Sequence, residues 1–216
     1  MIKLILAILF MFFVSYSMRA QDDNSAWNPI HDKEEIRVFS RSNTFSKIKE
    51  VKVISIINAS LSTLVSLIKD AENQPSWAYK LSYVEQINEY DDFHWCTYVI
   101  ADTPWPLFDR DNVTDVYLTQ NIDSTIIISS KSIEDIVDID DDYVRIPFVR
   151  ASWTFIPLGK GKVKASFQLL VDVGGYVPDW VVNLFIDKGP FQTMLHMRNE
   201  AEKKKYKNIH LNYIME

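Results

Sequence analysis

Residues 162–178 read KVKASFQLLVDVGGYVP, and the fold is decided there. Val163, Ala165, Phe167, Leu169, Val171 and Val173 alternate with Lys164, Ser166, Gln168, Leu170 and Asp172, a period of two that places one apolar row on one face of a β-strand. Gly159-Lys160-Gly161 supplies the preceding turn, so a hairpin partner is expected over residues 144–158, with Pro147 and Pro157 tolerated only at an edge, a bulge or an end. Downstream, Gly174-Gly175 breaks the strand and Pro178 suits a first helical turn. A long C-terminal helix is expected from there to about Lys207, kinked at Gly189-Pro190. Its apolar arc (Val181, Val182, Ile186, Phe191, Thr193, Met194, Met197) is too wide for a single seam, so the helix is buried on more than one side.

Working outward, residues 36–42 and 51–58 read as two β-branched strands that pair. Leu61, Leu64, Val65 and Ile68 then fall on one face of a helix capped by Asn58 or Ser60 and ending before Pro75. From Tyr83 the pattern is an antiparallel meander: 83–90, 93–101, 112–120 and 125–133, with turns at Asp91-Asp92 and at residues 121–124. Strands, one internal helix and one C-terminal helix without a repeat or linker describe a single α+β domain over residues 21–216. A helix lying along a curved antiparallel sheet leaves either a filled core or a cavity, and periodicity alone does not choose between them.

Residues 1–20 carry Lys3, an unbroken apolar run from Leu4 to Val14 and a small Ala20, which reads as a secretory signal peptide; the run falls short of the roughly 20 residues of a membrane span. An uncleaved anchor is the other reading. The protein is therefore expected to be exported. The lone Cys96 cannot pair internally, so stability must come from the core. With only 5 glycines and a net charge of −6, phosphate-cradling loops and nucleic-acid binding are both disfavoured.

Trp105-Pro106-Leu107 followed by Asp109-Arg110-Asp111 resembles the P-W-P and R-D signature of the START domains, the lipid-transfer domains related to the steroidogenic acute regulatory protein. Asp172-Val173-Gly174-Gly175-Tyr176-Val177-Pro178-Asp179-Trp180-Val181-Val182-Asn183 is similar to that family's strand-to-helix junction, and Trp77, Val149-Arg150 and Trp153 fit in order. The resemblance spans residues 27–206. It implies a helix-grip fold, a curved antiparallel sheet wrapped around the C-terminal helix with an internal hydrophobic cavity, and a function in binding, transfer or sensing of one lipid or other hydrophobic molecule. It also implies a cavity wall of Phe167, Leu169, Val171 and Val173 from the strand, and Val182, Ile186, Thr193 and Met197 from the helix. Steroid-binding members carry an arginine and an opposing acid where this sequence has Val116 and Thr97; the departure favours an apolar or weakly polar ligand.

Arg110 and Arg150 read either as structural ion pairs or as polar contacts to a ligand head group. No catalytic, cofactor or metal residue is assigned: His31, His94, His196 and His210 lack ligand spacing, and the acidic segment around Asp138 has Tyr143 where a calcium loop needs glycine. Lys203, Lys204, Lys205 and Lys207 form a basic run, either a solvated helix end or a transient contact with anionic membrane surfaces. Two other readings stay open. One is a cavity enzyme of the cyclase or hydroxylase type using His94 or Tyr98 as a base; the other is a protein-interaction module with a filled core.

Overall fold

The computed structural model describes residues 26–134, 136–183, 186 and 188–216, with the side chains of Asp179 and Asn183 left aside. The signal peptide read over residues 1–20 lies outside the described residues. The elements are β1 (Asn28–Lys33), β2 (Ile36–Arg41), β3 (Glu50–Asn58), α1 (Leu61–Lys69), a 3-10 turn (Ala71–Ser76), β4 (Leu81–Asp91), β5 (His94–Ala101), β6 (Arg110–Gln120), β7 (Ile126–Ser132), β8 (Val144–Arg145), β9 (Phe148–Gly159), β10 (Lys162–Asp172), α2 (Asp179–Asn183) and α3 (Gly189–Ala201).

The strands form one curved sheet in the order β1-β2-β3-β10-β9-β7-β6-β5-β4, antiparallel throughout, with short β8 added in parallel to β6. β10 sits where the sequence placed it, between β9, its hairpin partner, and β3. Phe167 lies opposite Val53 on one side and Trp153 on the other, which fixes the inward row of the central strands. β2 and β3 pair as expected, and Ile36, Val38, Val51, Val53 and Ile57 are buried at every second position.

Helix α1 starts at Ser60, whose hydroxyl accepts from the Thr63 amide at 3.1 Å. The Glu216 carboxylate adds acceptors for the Leu61 and Ser62 amides at 2.9 and 3.0 Å, a negative charge where the helix dipole is positive. Leu61, Leu64, Val65 and Leu67 are fully buried, and α1 packs against α3, which itself lies along β2 and β3. This is the filled half of the interior, completed by Met194, Met197 and Tyr206.

Three expectations are corrected. The strand expected over 144–158 is interrupted at Ile146-Pro147: Val144–Arg145 pairs with β6, and of this stretch only β9 pairs with β10. Pro147 has no amide hydrogen to continue a ladder. Pro157 stays within β9 because β7 pairing stops at Ile126↔Phe155, leaving no neighbour on that edge. Of the expected long C-terminal helix the described residues include α2 and α3, with Pro190 in the first turn of α3, where a missing amide costs nothing. That helix ends at Ala201 rather than near Lys207, because buried Tyr206 is tied to Asp70 (Oη to Oδ2, 2.5 Å) and the tail folds back on α1. Finally, β1 was not expected at all; it is an almost wholly exposed edge strand held by backbone pairing to β2, so it carries no apolar alternation.

Gly174 is required where it stands. Its φ of +66° is left-handed, and a Cβ there would meet Pro147 Cδ at 3.1 Å, so the turn into α2 needs glycine for two reasons.

The tail clamp titrates. Burial works against ionisation of Asp70, but hydrogen bonds from Lys205 and Tyr206 outweigh it and hold the carboxyl below its ordinary range. A carboxylate depressed in the folded state stabilises the fold above its unfolded pKa and loses that contribution as pH falls below about 4. Asp70→Asn is expected to lower stability by roughly 1–2 kcal/mol at pH 7 and to flatten the loss of stability on acidification, read by urea unfolding at neutral and acidic pH.

Candidate functional site

Where α3 leaves the sheet uncovered, a cavity of about 270 Å³ remains between the inner faces of β5, β6, β7, β9 and β10 and a lid made by residues 77–81 with the start of α3. Its walls are mostly apolar. Trp77, Trp95 and Trp153 are all buried; Trp153 stacks on Phe167 with centroids 4.5 Å apart and meets Trp77 edge-on at 6.2 Å. Rings held against one another in this way stand around the space instead of collapsing into it.

The polar groups of the cavity follow the inward row of β6, which runs Arg110, Asn112, Thr114, Val116. Thr114 Oγ1 is 2.8 Å from Thr97 Oγ1 on β5, a pair that satisfies only part of its own capacity. Asn112 Nδ2 donates to Ser132 Oγ at 3.1 Å and to the Ile146 carbonyl at 3.2 Å, tying β6 to the approach to β9. Among the described residues its Oδ1 has no partner, nor do Trp77 Nε1 and Thr103 Oγ1, and all three residues line the cavity.

Arg110 is 4% exposed. Burial pulls its guanidinium below the ordinary arginine value, with the charge of Asp109 acting the other way. It donates to the Phe108 carbonyl, and no ion pair joins it among the described residues. Its two acidic neighbours are engaged elsewhere. Asp109 Oδ1 accepts from the Thr103 amide at 2.6 Å. Asp111 points to the outer face, where Arg145 grips it through Nε at 2.9 Å and Nη2 at 2.8 Å, and Tyr98 Oη donates at 3.1 Å. The expected structural ion pair of the R-D motif therefore belongs to Asp111 and Arg145, not to Arg110.

Of the residues singled out from sequence, Thr97, Val116, Phe167, Leu169, Val171, Val173, Thr193 and Arg110 line the cavity. Met197 does not: one turn beyond Thr193 it is fully buried in the filled core. Val182 and Ile186 pack against Ile48, Val171 and Val173 in a separate cluster at the strand-to-helix junction. Arg150 is exposed on the outer face, 5.7 Å from the Phe148 ring, because Val149, Ala151 and Trp153 take the inward positions of β9. His94 and Tyr98 are also outward, since Trp95, Thr97 and Val99 are the inward residues of β5. His94 Nε2 lies 2.7 Å from Asp115 Oδ1 between the rings of Tyr90 and Tyr117, and burial followed by Asp111 pushes the Tyr98 phenol up to about 12. The base chemistry considered for these two residues thus has no access to the cavity. Asn112, Thr103 and Thr114 escaped the sequence reading, although the period of two through Val116 marks Asn112 and Thr114 as inward.

No protein-family model matches the chain. An uncharacterized protein of Pseudomonas aeruginosa is 26% identical over 178 residues, covering 82% of this chain and 88% of its own. Among solved structures, the STAR-related lipid transfer protein of Xanthomonas axonopodis superposes with a TM-score of 0.75 at 24% identity, covering 82% of this chain and 99% of that one. Human StAR-related lipid transfer protein 5 gives 0.74 at 17% identity, covering 84% and 88%. The Zhui aromatase/cyclase of Streptomyces gives 0.50 at 11% identity, covering 72% and 94%. The chain thus has the START helix-grip fold, built around a hydrophobic cavity.

Asp111 is 1% exposed and holds β8 to β6 through Arg145. Asp111→Ala leaves a guanidinium without its partner and is expected to cost about 3–5 kcal/mol of unfolding free energy in denaturant titration.

Proposed function

We propose that this protein binds a single lipid or other hydrophobic molecule in the cavity and carries or senses it outside the cytoplasm. The observation that carries the reading is the cavity itself: a partly open space, walled by Trp77, Trp95, Trp153, Phe167 and the aliphatic row of β10, inside a protein whose other half is densely packed. Its volume lies near the lower bound of ligand pockets, about 300–1,000 Å³, which suits a compact or single-chain molecule. Removing a few hundred Å² of apolar ligand surface from water at about 25 cal/mol per Å² supplies several kcal/mol before the cost of association. Lipid-transfer proteins and a cyclase share this fold. Among the described residues no Asp, Glu, His or Cys lines the cavity, which supports carriage over acid-base chemistry. Export rests on the apolar run after Lys3, and a contact with anionic membranes would use the exposed lysines 203–205 and 207.

Organic extraction of the purified protein followed by mass spectrometry, against a mock purification, should return one lipid-like compound in near-stoichiometric amount. Ala151 faces the cavity from β9, opposite Leu169, so Ala151→Trp should fill the space without breaking a packed contact. That variant is expected to fold, to keep its unfolding midpoint within a few degrees, and to yield an extract lacking the compound. Retention of the compound by Ala151→Trp would place it elsewhere.

A further inference from the structure

Resting on the ligand-binding reading above, we propose that the ligand is an amphiphile with an oxyanion head group, a carboxylate or a phosphate, held by Arg110 at one end of the cavity while its apolar part lies against Trp95 and Trp153.

The argument begins with what Arg110 lacks. A buried guanidinium brings five N–H donors and a full charge that desolvation penalises heavily unless they are answered. Among the described residues the answer is a single carbonyl, Phe108 O, and the neighbouring carboxylates are committed to the Thr103 amide and to Arg145. Structural arginines in the same protein look different: Arg145 donates from all three nitrogens, Nε and Nη2 to Asp111 and Nη1 to the Val137 carbonyl, and Arg41 Nε donates to Glu50 at 2.6 Å. An acceptor of matching charge in the cavity would complete Arg110, and planar oxyanions fit its fork bidentately.

A second, independent observation points to the same place. Thr103 and Asn112, on either side of Arg110 in the sequence, each present a buried oxygen without a partner among the described residues, and both line the cavity. Thr103 Oγ1 can donate to a head-group oxygen, and Asn112 Oδ1 can accept from a protonated acid, a phosphate hydroxyl or an adjacent ligand hydroxyl. Opposite them in character, Val116 is six residues further along β6, about 20 Å away at roughly 3.4 Å per residue. The inward row of β6 thus runs from charge through amide and hydroxyl to hydrocarbon, a polarity gradient that matches an amphiphile lying along the strand. The absence of a charged pair at Thr97 and Val116, which suggested an apolar ligand from sequence, moves the anchor to the start of the strand without removing it.

The test uses the full protein and a head-group series on one chain: dodecanoate, dodecyl phosphate and dodecanol, with inorganic phosphate as the chainless control, measured by tryptophan fluorescence titration. The wild type should bind the carboxylate or the phosphate at least about ten-fold more tightly than the alcohol, and inorganic phosphate should not compete. Whichever anionic probe binds more tightly identifies the source of the oxyanion. Arg110→Gln should erase the preference by weakening anionic binding to the level of the alcohol, while dodecanol affinity changes less than about two-fold; Arg110→Lys should keep part of it. Equal affinity of the wild type for acid, phosphate and alcohol would overturn the Arg110 anchor and leave the cavity reading intact, and this comparison needs no variant to fold. Binding of inorganic phosphate as tight as that of dodecyl phosphate would overturn the amphiphile in favour of a plain anion site. Failure of every chain-bearing probe to bind the wild type, together with an extract lacking any lipid-like compound, would remove the ligand-binding reading and this inference with it.

Discussion

The rest of the molecule depends on β10 being hydrogen-bonded along both edges. It pairs with β3 from Lys162↔Asn58 to Leu169↔Val51 and with β9 from Lys162↔Gly159 to Asp172↔Phe148. Register in such a strand admits no compromise, because a slip of one residue turns Phe167, Leu169 and Val171 outward and brings Lys164 and Gln168 into an apolar interior. Once set, the register brings Phe167 beside Trp153 and Val53, and so determines which residues of β3 and β9 face inward. β7, β6 and β5 then follow by antiparallel pairing, carrying Ile128, Val116 and Trp95 to the same side.

The interior so formed is unevenly filled. α3 lies along β2 and β3, and α1 packs on α3, so one half is dense with Leu61, Leu64, Leu67, Met194 and Met197. Over β5, β6 and β7, among the described residues, the start of α3 and the segment near Trp77 close the space. Unfilled volume forfeits dispersion contacts, and each unanswered buried polar group costs about 1–3 kcal/mol more. The dense half, the Ser60 cap and the Asp70–Tyr206 clamp offset these costs. A ligand that fills the volume and answers Arg110, Asn112 and Thr103 would stabilise the folded state in proportion to its affinity.

Much of this was legible in the sequence, and the reasons are local. Alternation gave β2, β3, β10 and the meander of β4 to β7; the Asn58–Ser60 signal gave α1; glycines at 159 and 161 and at 174 and 175 gave the ends of β10. The inward face of β10 followed from period two alone, its place in a cavity wall from the family resemblance, and the P-W-P and R-D motifs pointed to the corner that holds Arg110. The failures are equally physical. β1 and β8 are exposed or very short, so their stabilisation comes from backbone pairing that leaves no side-chain period. Met197 and Thr193 share a helical stripe, yet one is packed and the other faces the cavity, because the stripe crosses the boundary between the two halves of the interior.

The amino-acid sequence by itself determined the elements, their order and the apolar faces, since these arise from periodicities and turn chemistry within a few residues. Only the tertiary structure decided which apolar residues meet packed neighbours and which meet open space, because that depends on the path of α3 across the sheet. It also decided the roles of three adjacent charges. Asp109, Arg110 and Asp111 look like a self-contained ion pair in the chain, but strand geometry sends Asp111 outward to Arg145 and Arg110 inward, where it donates to the Phe108 carbonyl. The charge balance of a motif is local, while the direction in which each side chain is buried is not.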